Sequence, residues 1–390
     1  MKMAPSDREQ RATCVGDGRE PPVLALSLRK LDQLVAYALG YEIEDVLRSA
    51  GPTEFRTPGD IRQLERSRKL YKTARMLRCP RRVARTLAPM RERVPLNRDY
   101  ELFVFNAHNP WALYALETIP DWRERCAHAV CYLNEAWVSR LPTNYLMEML
   151  NRFDHVFIGL QNPVEPLSRQ LTTPVSYLPL GCDVLRFAPA DIDRPRSVDL
   201  CNIGRRATST HRALLTAMRT RPSWFYYFDT AQASGTGRSF RVDEPAEHRL
   251  LLAQLLRNSR YYIANRARIN ESATTHDAQE ISARFYEGAA AGTVMIGVPP
   301  DNPSFREQFD WPDAVIPAPY EHPGIVEQLD ELDRDPERLR AIRVSNVRES
   351  ALRHDWLYRL KQIYSAVGLP PSRSMVNREA RLHELADRLS

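Results

Sequence analysis

The strongest constraint on this fold is a repeated alternation of short apolar runs with stretches of helical periodicity. Apolar runs of this length with no polar face fit strands buried on both sides. The stretches between them fit helical crossovers, so the pattern implies parallel sheets covered by helices. In the first half the predicted strands are Val23–Leu28, Leu102–Asn106, Ala129–Leu133, Val156–Leu160 and Val175–Leu178, with helices near Leu31–Leu39, Trp111–Thr118 and Tyr145–Arg152. In the second half they are Val198–Ile203, Trp224–Phe228, Tyr261–Ala264, Val294–Val298 and Ala314–Ile316, with helices near His211–Arg219, Ala246–Arg257 and Ala278–Ala291. Helical patterning then continues past Asp335 with no strand left to pair.

A chain of 390 residues exceeds what one core usually fills, so two domains are expected. The Pro- and Asp-rich passage APADIDRPRS, Ala188–Ser197, is the natural boundary between them. The resulting division is a flexible tail over 1–20, Rossmann-like domains over 21–187 and 188–345, and terminal helices over 346–390. The tail is polar and lacks the apolar core of a secretory signal, and no apolar run reaches the roughly 20 residues of a membrane span.

Cys14, Cys79, Cys126, Cys131, Cys182 and Cys201 are scattered without paired spacing, and the nine histidines form no metal-binding group. No metal site or disulfide framework is expected, and a reducing cytoplasm fits. The formal charge of +6 does not by itself indicate nucleic acid. Arginine outnumbers lysine along the whole chain, which reads as a compositional bias, and no nucleic-acid motif or aromatic stacking platform accompanies it. Residues 60–98 are basic, with Ile61, Leu64, Tyr71, Ala74 and Leu77 on one helical side. That segment fits either a solvated helix packed on the first domain or a peripheral contact with the inner face of an anionic membrane.

The run RFYEGAAAGT, Arg284–Thr293, carries the most chemistry. Asp277 and Glu280 have capping-box spacing, and Gly292 stands where a helix-terminating glycine belongs, so a helix Ala278–Ala291 is predicted just before the buried strand TVMIGV. In a doubly wound fold a ligand lies beyond the carboxyl ends of the strands, where the next helix offers free N–H groups; Asn270–Gln279 occupies that position. Glu280, Arg284 and Glu287 would share one helical face. That stripe fits a solvated row of ion pairs, or a cleft in which Glu287 accepts hydrogen bonds from ribose hydroxyls and Arg284 orients it.

The segment RFYEGAAAGTVMIG resembles the R-x-x-E-x-x-A-x-G-T element of group 1 glycosyltransferases, in particular their spore-maturation-type branch. YLPLGCDVLRFAP (177–189), DLCNIGRRATSTHRALL (199–215) and HDWLYRLKQIYSAVGL (354–369) are similar to three further family elements in the same order. The resemblance implies an α/β GT-B fold: two Rossmann-like domains with parallel sheets facing a central cleft and C-terminal helices crossing back. It implies transfer of a sugar from a nucleotide-diphosphate donor to a glycan, lipid-linked or small-molecule acceptor, with retention of configuration, no metal and no cofactor; no nucleic-acid partner is expected, because the basic charge comes without a nucleic-acid motif.

Carried over by residue, the resemblance assigns the donor ribose to Glu287, a close turn at the diphosphate to Gly292 and Thr293, and phosphate binding to Arg205. Where the family has a lysine this chain has His211 and Arg212, and Arg212 is the expected substitute. Where the family often has a first glutamate this chain has Gln279, so Gln279, or Glu280 after a local shift, is expected at the donor sugar. This departure leaves a non-catalytic module that binds a nucleotide sugar or glycan as the alternative. On the acceptor side His108 and Glu135 follow predicted strands and are the candidate catalytic groups. Asp191 and Asp193 form a DxD pattern with no strand before it, which reads as chance.

Overall fold

The computed structural model describes residues 23–29, 34–59, 61–88, 93–140, 144–230, 242 and 244–389. The tail expected over 1–20 and residues 31–33 of the first predicted helix lie outside them. The chain forms two compact units. The first gathers the described residues up to Gln33 together with those of Glu44–Pro179 and Lys361–Met375. The second gathers those of Leu34–Ile43, Leu180–Leu360 and Val376–Ser390. The chain therefore changes unit after residues 33, 43, 179, 360 and 375, and Ala188–Ser197 lies inside the second unit.

The sheet of the first unit is parallel throughout, in the order β2-β1-β3-β4-β5-β6. β1 is Val23–Leu26; helix α1, Ala38–Ala50, precedes β2, Thr53–Arg56. Helices α2, Ile61–Met76, and α3, Arg81–Leu87, lead to β3, Tyr100–Ala107. The unit continues through β4, Cys126–Leu133, α4, Asn144–Leu150, β5, His155–Ile158, and β6, Val175–Tyr177. β3 is buried along nearly its whole length, as a central parallel strand must be. Its Phe103 meets Trp122 at 5.2 Å between ring centroids, and Trp122 meets Phe153 at 4.7 Å. Such aromatic pairs contribute about 0.5–1.5 kcal/mol beyond their buried area. Pro110–Thr118 is a 3-10 helix, opened by Asn109 accepting the Trp111 N–H, in place of the expected α-helix.

The sheet of the second unit is also parallel, in the order β11-β10-β9-β7-β8. After the short helix α5, Val184–Phe187, come β7, Val198–Asn202, α6, Thr208–Thr220, β8, Tyr226–Phe228, and α7, Pro245–Arg257. Next are β9, Ser259–Ile263, α8, Ala283–Ala290, β10, Val294–Gly297, α9, Pro303–Gln308, and β11, Ile316–Pro317. Helices α10, Ile325–Leu332, α11, Pro336–Arg353, α12, Trp356–Ala366, and α13, Arg373–Asp387, complete the chain. Leu200, Tyr261, Val294 and Ile296 of the strands pack with Leu214 of α6 and Ile325 and Leu329 of α10. In α13, Arg378 holds Asp183 and Asp355 at 2.6 and 2.7 Å, which fixes residues 376–389 in this unit. Among the described residues no helix is long and apolar enough to cross a membrane.

Candidate functional site

In the second unit β7 lies between β8 and β9, so the chain leaves it toward both sides of the sheet. This is a topological switch point, and the crevice beyond its carboxyl ends is where such folds take ligands. A pocket opens there, lined among others by Asn202, Arg205, Thr210, Asn265, Gly297 and Tyr320. Gly297 ends β10 with no room for a side chain: a Cβ would stand 2.2 Å from the Ala264 carbonyl oxygen. Asn265 ties the loop after β9 to that strand by accepting the Val298 N–H at 2.9 Å.

The loop after β7 collects guanidinium groups. Gly204, at φ 79, lies directly under Arg284, whose Nη2 donates to the Ile203 carbonyl at 3.1 Å. Arg205 pairs with Glu271 through Nε at 3.0 Å, and Arg206 pairs with Asp229 at 2.8 Å. Arg284 makes no ion pair with a described residue, and neither does half-buried Arg266 on the loop after β9. The amino end of α6 is occupied by a carboxylate: Glu321 accepts the Thr208 and Ser209 N–H groups at 3.1 and 2.7 Å. Arg212, the expected phosphate ligand, is exposed one turn farther along α6 and is not among the residues lining the pocket. His211 turns back to the sheet, with Nδ1 2.8 Å from the Tyr226 hydroxyl. The cation that joins Arg205 at this loop is thus Arg284, delivered by the run 284–293.

The expected helix Ala278–Ala291 is shorter. It starts at Ala283 after Ser282, and no capping box forms. His276 and Asp277 take left-handed backbone, at φ 46 and 64. Residues 278–282 instead bond the loop after β9: the Ala267 N–H donates to Glu280 O at 2.9 Å and Ser282 Oγ to Asn265 O at 2.7 Å. Glu280, buried and outside the helix, therefore does not form a helical stripe with Arg284 and Glu287. Gln279 is spent locally, its Oε1 accepting the Asp301 N–H at 2.8 Å. Gly292 and Thr293 stand at the opposite end of α8, so they do not reach the crevice. Gly292 packs against Val347, Ile192 and Arg196, and Thr293 Oγ1 closes the helix by donating to Gly288 O.

Glu287 lies one turn into α8 with a side chain only 6% exposed. One carboxylate oxygen, Oε1, accepts from Nη1 of Arg249 on α7; the other accepts no hydrogen bond from a described residue. Arg249 also donates from Nε to Glu42 at 2.7 Å, and Glu42 accepts the Asp183 N–H at 2.7 Å and the Trp356 indole N–H at 3.2 Å. Burial works against the charge of Arg249, but Glu42 and Glu287 outweigh it and hold the guanidinium protonated. Nothing local in the sequence marks this triad, whose members lie 38 and 207 residues apart.

The first unit has its own switch point at β1, between β2 and β3. His108 is buried beyond β3, with Nδ1 3.3 Å from Asn134 Oδ1, and burial pushes its imidazole down to about 4, so it is neutral at neutral pH. Glu135 accepts the Trp137 indole N–H at 2.6 Å, and its backbone N–H donates to His108 O at 3.1 Å. Beside them is a group not anticipated from sequence: Glu44 accepts from Ser27 Oγ at 2.7 Å and Arg29 Nε at 3.2 Å. Burial raises the Glu44 carboxyl to about 7. Asp191 and Asp193 are not arranged for a metal. Asp191 accepts the Asp193 N–H, and Asp193 grips Arg340 with two bonds at 2.7 and 2.8 Å.

Residues 235–365, about a third of the chain, match the family model described as "Glycosyl transferase-like". No curated protein sequence matches the chain. Among solved structures, an alpha-glucosyltransferase in complex with UDP and a 13-mer DNA is 12% identical, with a TM-score of 0.51, over 90% of this chain and 99% of that one. Trehalose-6-phosphate synthase OtsA is also 12% identical, with a TM-score of 0.50, over 90% of this chain and all of its own. These likenesses are of fold, and the fold is GT-B.

Proposed function

We propose that this chain, a GT-B protein of the group 1, glycosyl transferase-like family, moves a sugar from a nucleotide-diphosphate donor to an acceptor hydroxyl. The observation that carries the reading is the cationic loop at the second unit's switch point, where Arg284 lies on Gly204 beside Arg205, with Arg266 on the adjoining loop. In such a transfer the bond from the anomeric carbon to the diphosphate breaks, and negative charge gathers on the departing oxygen. Fixed guanidinium groups in a partly dry crevice stabilise that charge and can grip phosphate with two parallel bonds each. This supports a reaction that needs no divalent metal. Retention of configuration rests on the resemblance to group 1 enzymes.

Glu287 takes the ribose in this reading. Arg249 fixes one carboxylate oxygen and leaves the other to accept a hydroxyl. On the acceptor side His108, neutral at working pH, and Glu135 are the candidate contacts, with the Ser27–Arg29–Glu44 group beside them. One observation favours the alternative, a module that binds without catalysing: Gln279 carries no charge and is engaged by the Asp301 N–H.

The test is a thermal-shift screen of nucleoside diphosphates and their sugars, with and without chelator, followed by donor-hydrolysis and transfer assays on the hits. A ligand at a hundred times its dissociation constant adds about 2.7 kcal/mol to the folded state. If no nucleotide shifts the melt, the donor site is refuted. Stabilisation without hydrolysis or transfer to any acceptor selects the binding module.

A further inference from the structure

We propose that the hairpin of α2 and α3 in the first unit docks the protein on an anionic lipid surface. Residues 61–88 contain ten arginines and lysines and one acid, Glu65. That is a surplus of nine on a chain whose whole surplus is six, so the residues outside the hairpin are together net acidic by three. The positive charge of this protein is therefore a built patch and not a bias spread along the chain.

The hairpin has two sides. Leu64, Tyr71, Ala74 and Ala84 are buried, and Tyr71 stacks on Tyr114 at 5.3 Å, which anchors the pair of helices to the unit. On the solvent side stand Leu70, Met76, Leu77, Val83 and Leu87, with Met76 and Leu77 each 74% exposed at the tip. Leu77 thus leaves the apolar row assigned to it from sequence and points out with its neighbour. The connection between the helices is ordered by its own bonds: Arg75 Nη1 donates to Cys79 O at 2.6 Å, and the Cys79 N–H to Ala74 O at 2.9 Å. Around these apolar side chains Arg62, Arg66, Lys69, Arg78 and Arg82 are exposed, and none makes an ion pair with a described residue.

Exposed aliphatic side chains within a ring of cations match the boundary of an anionic bilayer, which offers phosphates and hydrocarbon at adjoining depths. A nucleic acid would answer the charge alone. It would leave Met76, Leu77 and Leu87 in water, and the described exposed side chains of this hairpin include no aromatic on which a base could stack.

The experiment is co-sedimentation of the full chain with vesicles of phosphatidylcholine, with and without about 30% phosphatidylglycerol. We expect binding to the anionic vesicles only, reversed at high salt. Each arginine near such a surface is worth roughly fivefold in affinity, so Arg78→Glu with Arg82→Glu should weaken binding by about twenty-five-fold or more. Met76→Ser with Leu77→Ser should also weaken it, at unchanged charge. All four positions are exposed and outside the donor site, so the melting temperature and the donor-induced shift serve as controls for folding. Failure to bind anionic vesicles overturns the proposal. So does binding that the serine pair leaves intact, or preferential capture of a single-stranded oligonucleotide over anionic vesicles at equal salt; those results assign the patch to a polyanion without an apolar interior.

Discussion

Replacing Arg249 by methionine tests the buried triad directly. The substitution keeps most of the side-chain volume but removes the cation between Glu42, which has no solvent exposure, and Glu287, which has 6%. Removing one partner of a buried ion pair typically costs about 3–5 kcal/mol, because the remaining charge is left uncompensated. For a unit of about 200 residues each kcal/mol lowers the melting temperature by roughly 2–4 °C, so a fall of about 6–20 °C is expected. Burial already raises the Glu42 carboxyl while Arg249 pulls it down; without Arg249 only the longer contact from Arg186, at 3.5 Å, still opposes burial, so the carboxyl rises further. A carboxyl raised above its unfolded value stabilises the fold at low pH and loses that contribution as pH rises through the folded value. The variant should therefore be nearest to wild type at pH 5 and farthest from it at pH 8. The assay is denaturant unfolding across that range, alongside the triple variant Glu42→Gln, Arg249→Met, Glu287→Gln. The triple should recover much of the loss, because no unpaired charge remains buried. A single variant that loses under about 1 kcal/mol at pH 8, with no dependence on pH, would refute the reasoning.

Arg284→Gln should weaken nucleotide-diphosphate binding by about tenfold or more, since a hydrogen bond to a charged group contributes roughly 1.5–3 kcal/mol; unchanged affinity by calorimetry would remove Arg284 from the donor site. Gly297→Ala forces a Cβ to within 2.2 Å of a carbonyl oxygen, so the denaturation midpoint should fall by the equivalent of about 1–3 kcal/mol, and an unaffected midpoint would mean the loop after β9 is not packed as described. Glu44, raised to about 7, should make the first unit lose up to about 3 kcal/mol between pH 4.5 and 7, and Glu44→Gln should flatten that slope. His108, lowered to about 4, works in the opposite direction: its stabilisation is lost as pH falls below about 6.5, and His108→Gln should protect the fold near pH 4.

The central strands were legible because parallel strands covered on both faces are built around unbroken apolar runs, such as Leu102–Phe105 of β3, Ala129–Leu133 of β4 and Val294–Ile296 of β10. Edge strand β2 was not. Its sequence, TEFR, is half-buried, and Glu54 pairs with Arg56 at 2.7 Å and Arg98 at 2.6 Å, which reads locally as a loop. The amino end of α8 was misplaced because Asp277 and Glu280 have cap spacing. The partners that decide the backbone there, Asn265 and Ala267, are more than ten residues away and act through main-chain oxygens and N–H groups that carry no sequence signature. Arg284 was found through its motif, whereas Arg266 and the partner of Glu287 depend on which helices and loops the sheet order brings side by side.

The five changes of unit along the chain bear on how the molecule can be made. The first unit includes Lys361–Met375, and the second includes both Leu34–Ile43 and residues up to the last described ones. No single cut separates the units into contiguous fragments, so truncations intended to isolate the donor half remove a segment from each. During synthesis the early strands of the first unit can pair, but that unit gains its segment Lys361–Met375 only after Leu180–Leu360 of the second unit has been made. Domain-by-domain folding in order of synthesis, the usual course for chains of this size, would leave the first unit without Lys361–Met375 until most of the second has been made.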